Sequence, residues 1–389
     1  MPLKEKMHSL FSNNKWILFV IGLLIGVAMG IINPLSSTHL KSNNVNSLWI
    51  GIISSSFFLF MSIGSILVDR KMRNKDIKGT ILIGAVISAT ACGIFPFSSN
   101  LVVSLFLMIF MGIGLSFNLV GVQTMLQNLT EESSRSVISG LYSLCFAVGF
   151  VLSSVLGPAF YEWNNWVPFI FPICALLICQ IVIHATFKEK LLFSPKPKIN
   201  TLKKISIGLQ GGFLYGFTET TLTTLYPVFL IHEQYDLRIA GYALGIFVLG
   251  SIIGTMPITY LSDKLGREKV LLMSIIISVF TIAGIMIFDN FVLRLIFSFL
   301  SGFIIGPIYP LAMAVSVQNL SKEEIPSGTS LFTSFYGGGS TIGPLLSSAV
   351  MSMFGDNYIF SVCLLLFITF PVVMYVKKVR YESESGFDL

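Results

Sequence analysis

The chain has 389 residues, of which 54% are hydrophobic and only 11% charged, with a formal net charge of +6. Soluble domains carry about 25% charged residues, so the polar surface that a water-soluble fold of this length needs is missing. The positive charge does not form a nucleic-acid patch either, because its placement along the chain follows the apolar runs.

Twelve of those runs reach about 20 residues, enough to cross a bilayer as helices whose backbone groups are satisfied internally. In chain order they fall at 16–35, 48–68, 80–96, 101–122, 137–157, 167–187, 205–231, 239–262, 270–288, 291–315, 327–350 and 357–376. The run after the basic segment Met1–Lys15 has no convincing small-residue cleavage site and reads as a retained first span. The longest polar connection, 188–204, holds six lysines, one glutamate and the rigid pair Pro195 and Pro197. It divides the chain into an N-terminal six-helix half (1–187) and a C-terminal six-helix half (205–376), followed by a short tail (377–389). With the N-terminus inside, all Lys and Arg except Lys41, Arg238 and Arg294 fall in cytoplasmic segments, which sets both termini in the cytoplasm. The five cysteines (Cys92, Cys145, Cys174, Cys179, Cys363) lie within spans without metal-like spacing and read as small apolar residues. The expectation is an all-α membrane protein with twelve transmembrane helices, monomeric, with no metal and no cofactor. Abundant Lys, Asn and Ile point to a bacterial source.

The two halves repeat one plan. Asp69, Arg70 and Arg73 follow span 2, and Asp263, Gly266 and Arg267 follow span 8, an offset of 194 residues between the acids. Span 4 leaves through Gln127-Asn128-Leu129 and span 10 through Gln318-Asn319-Leu320. Span 5 carries Gly149 and Gly157-Pro158, and span 11 carries Gly337 and Gly343-Pro344. Duplication on this scale in so apolar a chain points to a secondary transporter.

The turn containing Leu261, Asp263, Gly266 and Arg267 resembles the signature of the major facilitator superfamily between helices 8 and 9. The first copy is degraded, with Ser65 and Met72 where glycines are usual. The resemblance implies twelve helices in two six-helix halves, and a cytoplasmic gate at Asp69, Arg70, Arg73, Asp263, Gly266 and Arg267. Solvated loop charge that only sets topology is the alternative. Span 5 is similar to the glycine-rich signature of the superfamily's drug:proton antiporters, although Ser153 and Ser154 stand at its central Gly-Pro positions. Packing alone also explains Gly149, Gly157, Pro158, Gly343 and Pro344. The Arg of span 4 linked to proton coupling in such antiporters is absent, since Met108 and Met111 precede Gly112.

Span 7 holds the deepest acid, Glu219. Tyr215, Thr218, Glu219 and Tyr226 recur at helical spacing and share a face. A charge at that depth costs at least about 2.5–3.5 kcal/mol and belongs in a cavity. With no cation at its depth the carboxyl favours its neutral form. Glu219 is then a proton carrier, an anchor for a cationic group, or a neutral carboxyl bonded to a tyrosine or a backbone carbonyl. The resemblance places spans 1, 4, 7 and 10 around substrate, which makes Asn33, Asn118, Gln123 and Tyr309 cavity candidates. Pro307 and Pro310 either break span 10 or kink it. No Ser-His-Asp grouping, metal cluster or Walker loop is present, so neither an enzyme nor a nucleotide-driven pump is expected. The expected function is proton-coupled efflux of a small amphipathic molecule, such as a drug or a secreted siderophore, across the cell membrane. Import of a polar metabolite and lipid flipping are the alternatives.

Overall fold

The computed structural model describes residues 16–71, 75–129, 135–187, 205–318, 320 and 325–384. The helices are α1 (Trp16–Ser42), α2 (Ser47–Lys71), α3 (Ile77–Ile94), α4 (Leu101–Leu129), α5 (Arg135–Trp163), α6 (Ile170–Thr186), α7 (Ser206–His232), α8 (Leu237–Leu265), α9 (Arg267–Ile287), α10 (Phe291–Ile305), α11 (Ile308–Val317), α12 (Ile325–Phe354) and α13 (Ser361–Glu384). Among the described residues there is no strand. Nine segments among them are long and apolar enough to cross a membrane. Polarity keeps α7 out of that set, since five threonines and Glu219 interrupt its apolar residues. The linker 188–204 lies outside the described residues. The last helix runs on to Glu384, past the expected end of its span at 376.

Span 10 is two helices. Pro307 has no N–H to close onto the preceding turn, so α10 ends with the Gly306 N–H on the Gly302 carbonyl at 2.9 Å. The next helix restarts with the Leu311 N–H on the Pro307 carbonyl at 3.1 Å. Pro310 falls in the first turn of α11, where the missing N–H costs nothing. Pro34, Pro158, Pro227, Pro257, Pro344 and Pro371 instead sit inside continuous helices.

The chain divides into two compact units. The first comprises the described residues of Met1–Lys196 with Thr223–Gly245, and the second those of Pro197–Leu222 with Ile246–Leu389. Within the first, α1 packs on α5 and α6, α2 on α4, and α3 on α4 and α6. Within the second, α9 packs on α10, α11 and α13, and α11 on α12.

The duplication is visible in the packing itself. A β-carbon on Gly22 would strike the Tyr142 ring, and one on Gly212 the Phe332 ring, 190 residues later. Gly26 faces the Phe146 carbonyl as Gly216 faces that of Tyr336, and Gly149 faces the Leu23 carbonyl as Gly339 faces that of Phe213. Gly112 on Phe57 and Gly302 on Phe247 repeat the relation between α2 and α4 in α8 and α10. All four pairs share the offset of 190. The acidic turns sit at 194, which puts four extra residues, about one helical turn, before Asp263 in the second copy. This register corrects the sequence alignment of the glycine helices: Gly149 matches Gly339, and Gly343-Pro344 matches Ser153-Ser154. Gly157 has no such constraint, since a β-carbon there would lie an ordinary 3.6 Å from Ile31. Pro158 packs against Gly241, where a β-carbon would come within 2.6 Å of its ring.

Candidate functional site

Glu219 stands at the fourteenth of the 27 positions of α7. Its Oε2 accepts a hydrogen bond from the Tyr336 hydroxyl of α12 at 2.7 Å. Tyr215, one turn earlier on α7, stands beside the same carboxyl. Tyr309, near the start of α11, completes a triad of phenols. Ring centroids lie 5.5 Å apart for Tyr215–Tyr309, 6.0 Å for Tyr215–Tyr336 and 5.4 Å for Tyr309–Tyr336. Phe332, one turn before Tyr336, meets Tyr309 edge-on at 5.3 Å.

Small residues bring these groups together. Gly216 admits the backbone of α12 at Tyr336, while Gly339 and Gly343 admit the carbonyls of Phe213 and Phe217. Thr220 Oγ1 ties the two helices further by donating to the Ser340 carbonyl at 3.1 Å. Phe332, Phe217 and Leu222 are buried behind the site, whereas Glu219 and all three tyrosines keep partial exposure. The site is thus an accessible carboxyl on an aromatic wall. No Lys or Arg occurs on α7, α11 or α12. A carboxyl that among the described residues is held by a neutral phenol can take up and release a proton without breaking an ion pair.

The other expected cavity residues lie elsewhere in the packing. Thr218 is fully buried, its hydroxyl without a hydrogen-bond partner among the described residues. Asn33, Asn118, Gln123 and Tyr226 belong to the first unit. Asn33 is buried in α1, its Oδ1 accepting from Thr224 Oγ1 at 3.2 Å. Tyr226 is fully buried and stacks on Phe229. Asn118 is buried beside Gly84 of α3 and donates to the Gly114 carbonyl of its own helix at 2.9 Å. Gln123 is exposed. Tyr336 is absent from the sequence-based candidates. Its signal was a tyrosine deep in a span, before Gly337-Gly338-Gly339, when tyrosines favour membrane interfaces.

The three cations expected on the outer side all have polar partners: Lys41 Nζ meets His232 Nδ1 at 3.4 Å, Arg238 pairs with Glu162, and Arg294 Nη2 meets Asp289 Oδ1 at 3.1 Å. Arg294 is buried and also donates from Nε to the Phe288 carbonyl at 2.8 Å, closing the end of α9. Among the described residues no group of His, Cys, Asp and Glu is placed to hold a metal ion.

The family model of the Major Facilitator Superfamily matches residues 18–206 and 209–387. The chain belongs to the major facilitator superfamily. It is therefore a multi-pass membrane protein and a secondary transporter of that type. It is 24% identical over 356 residues to the uncharacterized MFS-type transporter YfkF of Bacillus subtilis, covering 88% of this chain and 90% of the relative. It is 21% identical over 342 residues to the uncharacterized MFS-type transporter YcaD of Escherichia coli, covering 87% and 89%. Among solved structures, the nucleoside transporter NupG aligns with TM-score 0.76 at 13% identity over 95% of this chain and 99% of its own. A bacterial homolog of the human lysosomal transporter Spinster aligns with TM-score 0.69 at 15% identity over 96% of each chain. At these identities the structural likeness shows the fold alone.

The two turns that carry the superfamily's signature are partly described. Asp69 and Arg70 fall in the last turn of α2 and Asp263 in that of α8, but their side chains, and all of Arg73, lie outside the described residues. Gly266 joins α8 to α9 with φ +94°, a left-handed backbone that explains glycine there. Arg267, the first residue of α9, is exposed. Beside it, Glu268 accepts from Gln318 Nε2 at 2.9 Å, a link between α9 and the end of α11 that the sequence did not indicate.

Proposed function

We propose that this chain is a proton-coupled exporter of a small amphipathic molecule, working by alternating access of its two halves, with Glu219 as the proton-carrying group. The observation that carries this reading is the carboxyl of Glu219, deep in α7, which among the described residues accepts from the neutral phenol of Tyr336 at a partly exposed aromatic wall. A carboxyl in the membrane is costly and marks a transport pathway. The absence of a Walker loop from the sequence leaves an ion gradient as the energy source. Outward direction is supported by the resemblance of α5 to the antiporter signature. The same reading places both termini in the cytoplasm and treats the acidic turns at Asp69 and Asp263 as the cytoplasmic gate.

Direction is tested by comparing small molecules inside and outside cells that lack the protein with cells that overproduce it. A compound enriched in the medium on overproduction is the expected result. A compound drawn from the medium and accumulated inside would overturn efflux and make the chain an importer.

A further inference from the structure

The wall around Glu219 does more than a proton carrier requires. A proton needs only the carboxyl and a donor to steady it, whereas α7, α11 and α12 converge three tyrosines on one acid, with Phe332 packed behind Tyr309. Aromatic faces attract cations, and do so more strongly where water is excluded. The phenol oxygens add acceptor lone pairs, and Tyr336 spends its proton on Glu219. The three helices bring no Lys or Arg to offset this negative character. We propose that Glu219, Tyr215, Tyr309 and Tyr336 form a binding site for the cationic head of an organic monocation, an amine or quaternary ammonium attached to an apolar body.

Charge sets the valence. One carboxylate balances one positive charge, and a dication would leave its second charge uncompensated in a poorly solvated place. Geometry sets the mode of entry. The tyrosine rings already touch one another, so the head is received on the accessible side of the triad, beside Glu219, and not between the rings. The matching positions of the repeat, 190 residues earlier, are Ile25, Met29, Leu119 and Phe146, all apolar and all part of or packed against the hydrophobic core of the first unit. The charged site is thus a feature of the second half of the chain and not of the repeat as such.

This inference rests on Glu219 being the transport carboxyl, but its test needs no gradient. The full-length protein is purified in detergent, and equilibrium binding is measured for tetramethylammonium, benzyltrimethylammonium and tetraphenylphosphonium. Neopentylbenzene, the neutral carbon isostere of benzyltrimethylammonium, serves as the control. The expected result is that benzyltrimethylammonium binds at least about tenfold more tightly than neopentylbenzene. Glu219→Gln should weaken the cation by at least about tenfold while leaving the neutral isostere unchanged. Tyr309→Phe, which keeps the ring, should bind nearly as well as the natural protein, and Tyr309→Leu should not. Thermal melting of each variant separates lost binding from lost fold. If none of the three cations binds, or the isostere binds as tightly, or folded Glu219→Gln retains full cation affinity, the cation site is refuted. Proton coupling at Glu219 could still stand in that case, because transport driven by a pH gradient is read independently of these ligands.

Discussion

Glu219 and Tyr336 are separated by 117 residues and joined by one hydrogen bond, and the chemistry of the site depends on that pairing. The phenol steadies the carboxyl without supplying a charge, so the acid stays available to a proton or a cation. Removing only the hydroxyl should therefore be felt in transport and not in folding. Tyr336→Phe is expected to lower the transport rate by about ten- to a hundredfold, in line with a lost hydrogen bond to a charged group of about 1.5–3 kcal/mol, with unchanged yield and melting temperature. A variant that transports at the natural rate would show the bond to be incidental. Glu219 and Tyr215 were legible in the sequence because both lie on one helix, where spacing alone defines a face. Tyr309 was legible through the family resemblance, which sets span 10 beside the substrate. Tyr336 was not, because its place beside Glu219 depends on how closely two helices approach.

That approach is set at the level of the element. In α5 and α12, glycines face carbonyl oxygens of α1 and α7, and backbone cannot move aside as a flexible side chain can. Gly149→Val should accordingly destabilise the protein by about 3 kcal/mol or more, since overpacking alone costs about 1–3 kcal/mol. Gly157→Ala should be tolerated, because its β-carbon meets Ile31 at ordinary distance. The comparison is read by melting temperature and by the monodisperse fraction on size exclusion. Equal behaviour of the two variants would contradict the packing account. The sequence presented both glycines as members of one signature and offered no means of ranking them. It also left open whether Pro307 breaks or bends its span. The answer depended on Gly306 ending one helix where the ring of Pro307 prevents its continuation.

At the scale of the whole molecule, apolar runs and repeated turns were enough to indicate twelve spans in two related halves, because membrane insertion imposes length and composition directly. The register of the repeat was less accessible. Local matches suggested offsets from 186 to 194, while packing holds to 190 and leaves the acidic turn four residues later in the second copy. The charge bias predicts a definite topology. With the native cysteines replaced, a membrane-impermeant maleimide should label Asn165→Cys from outside intact cells and should reach Lys196→Cys only after permeabilisation. The reverse pattern would invert the orientation. The most direct test of the central claim uses the compound identified by the export comparison. The natural protein and Glu219→Gln are reconstituted into liposomes, and accumulation of that compound is followed under an imposed pH gradient. The account predicts that the natural protein concentrates it and that the variant, still folded, loses gradient-driven accumulation by at least about tenfold while retaining passive exchange. Full gradient-driven accumulation by the variant would contradict a proton-carrying role for Glu219.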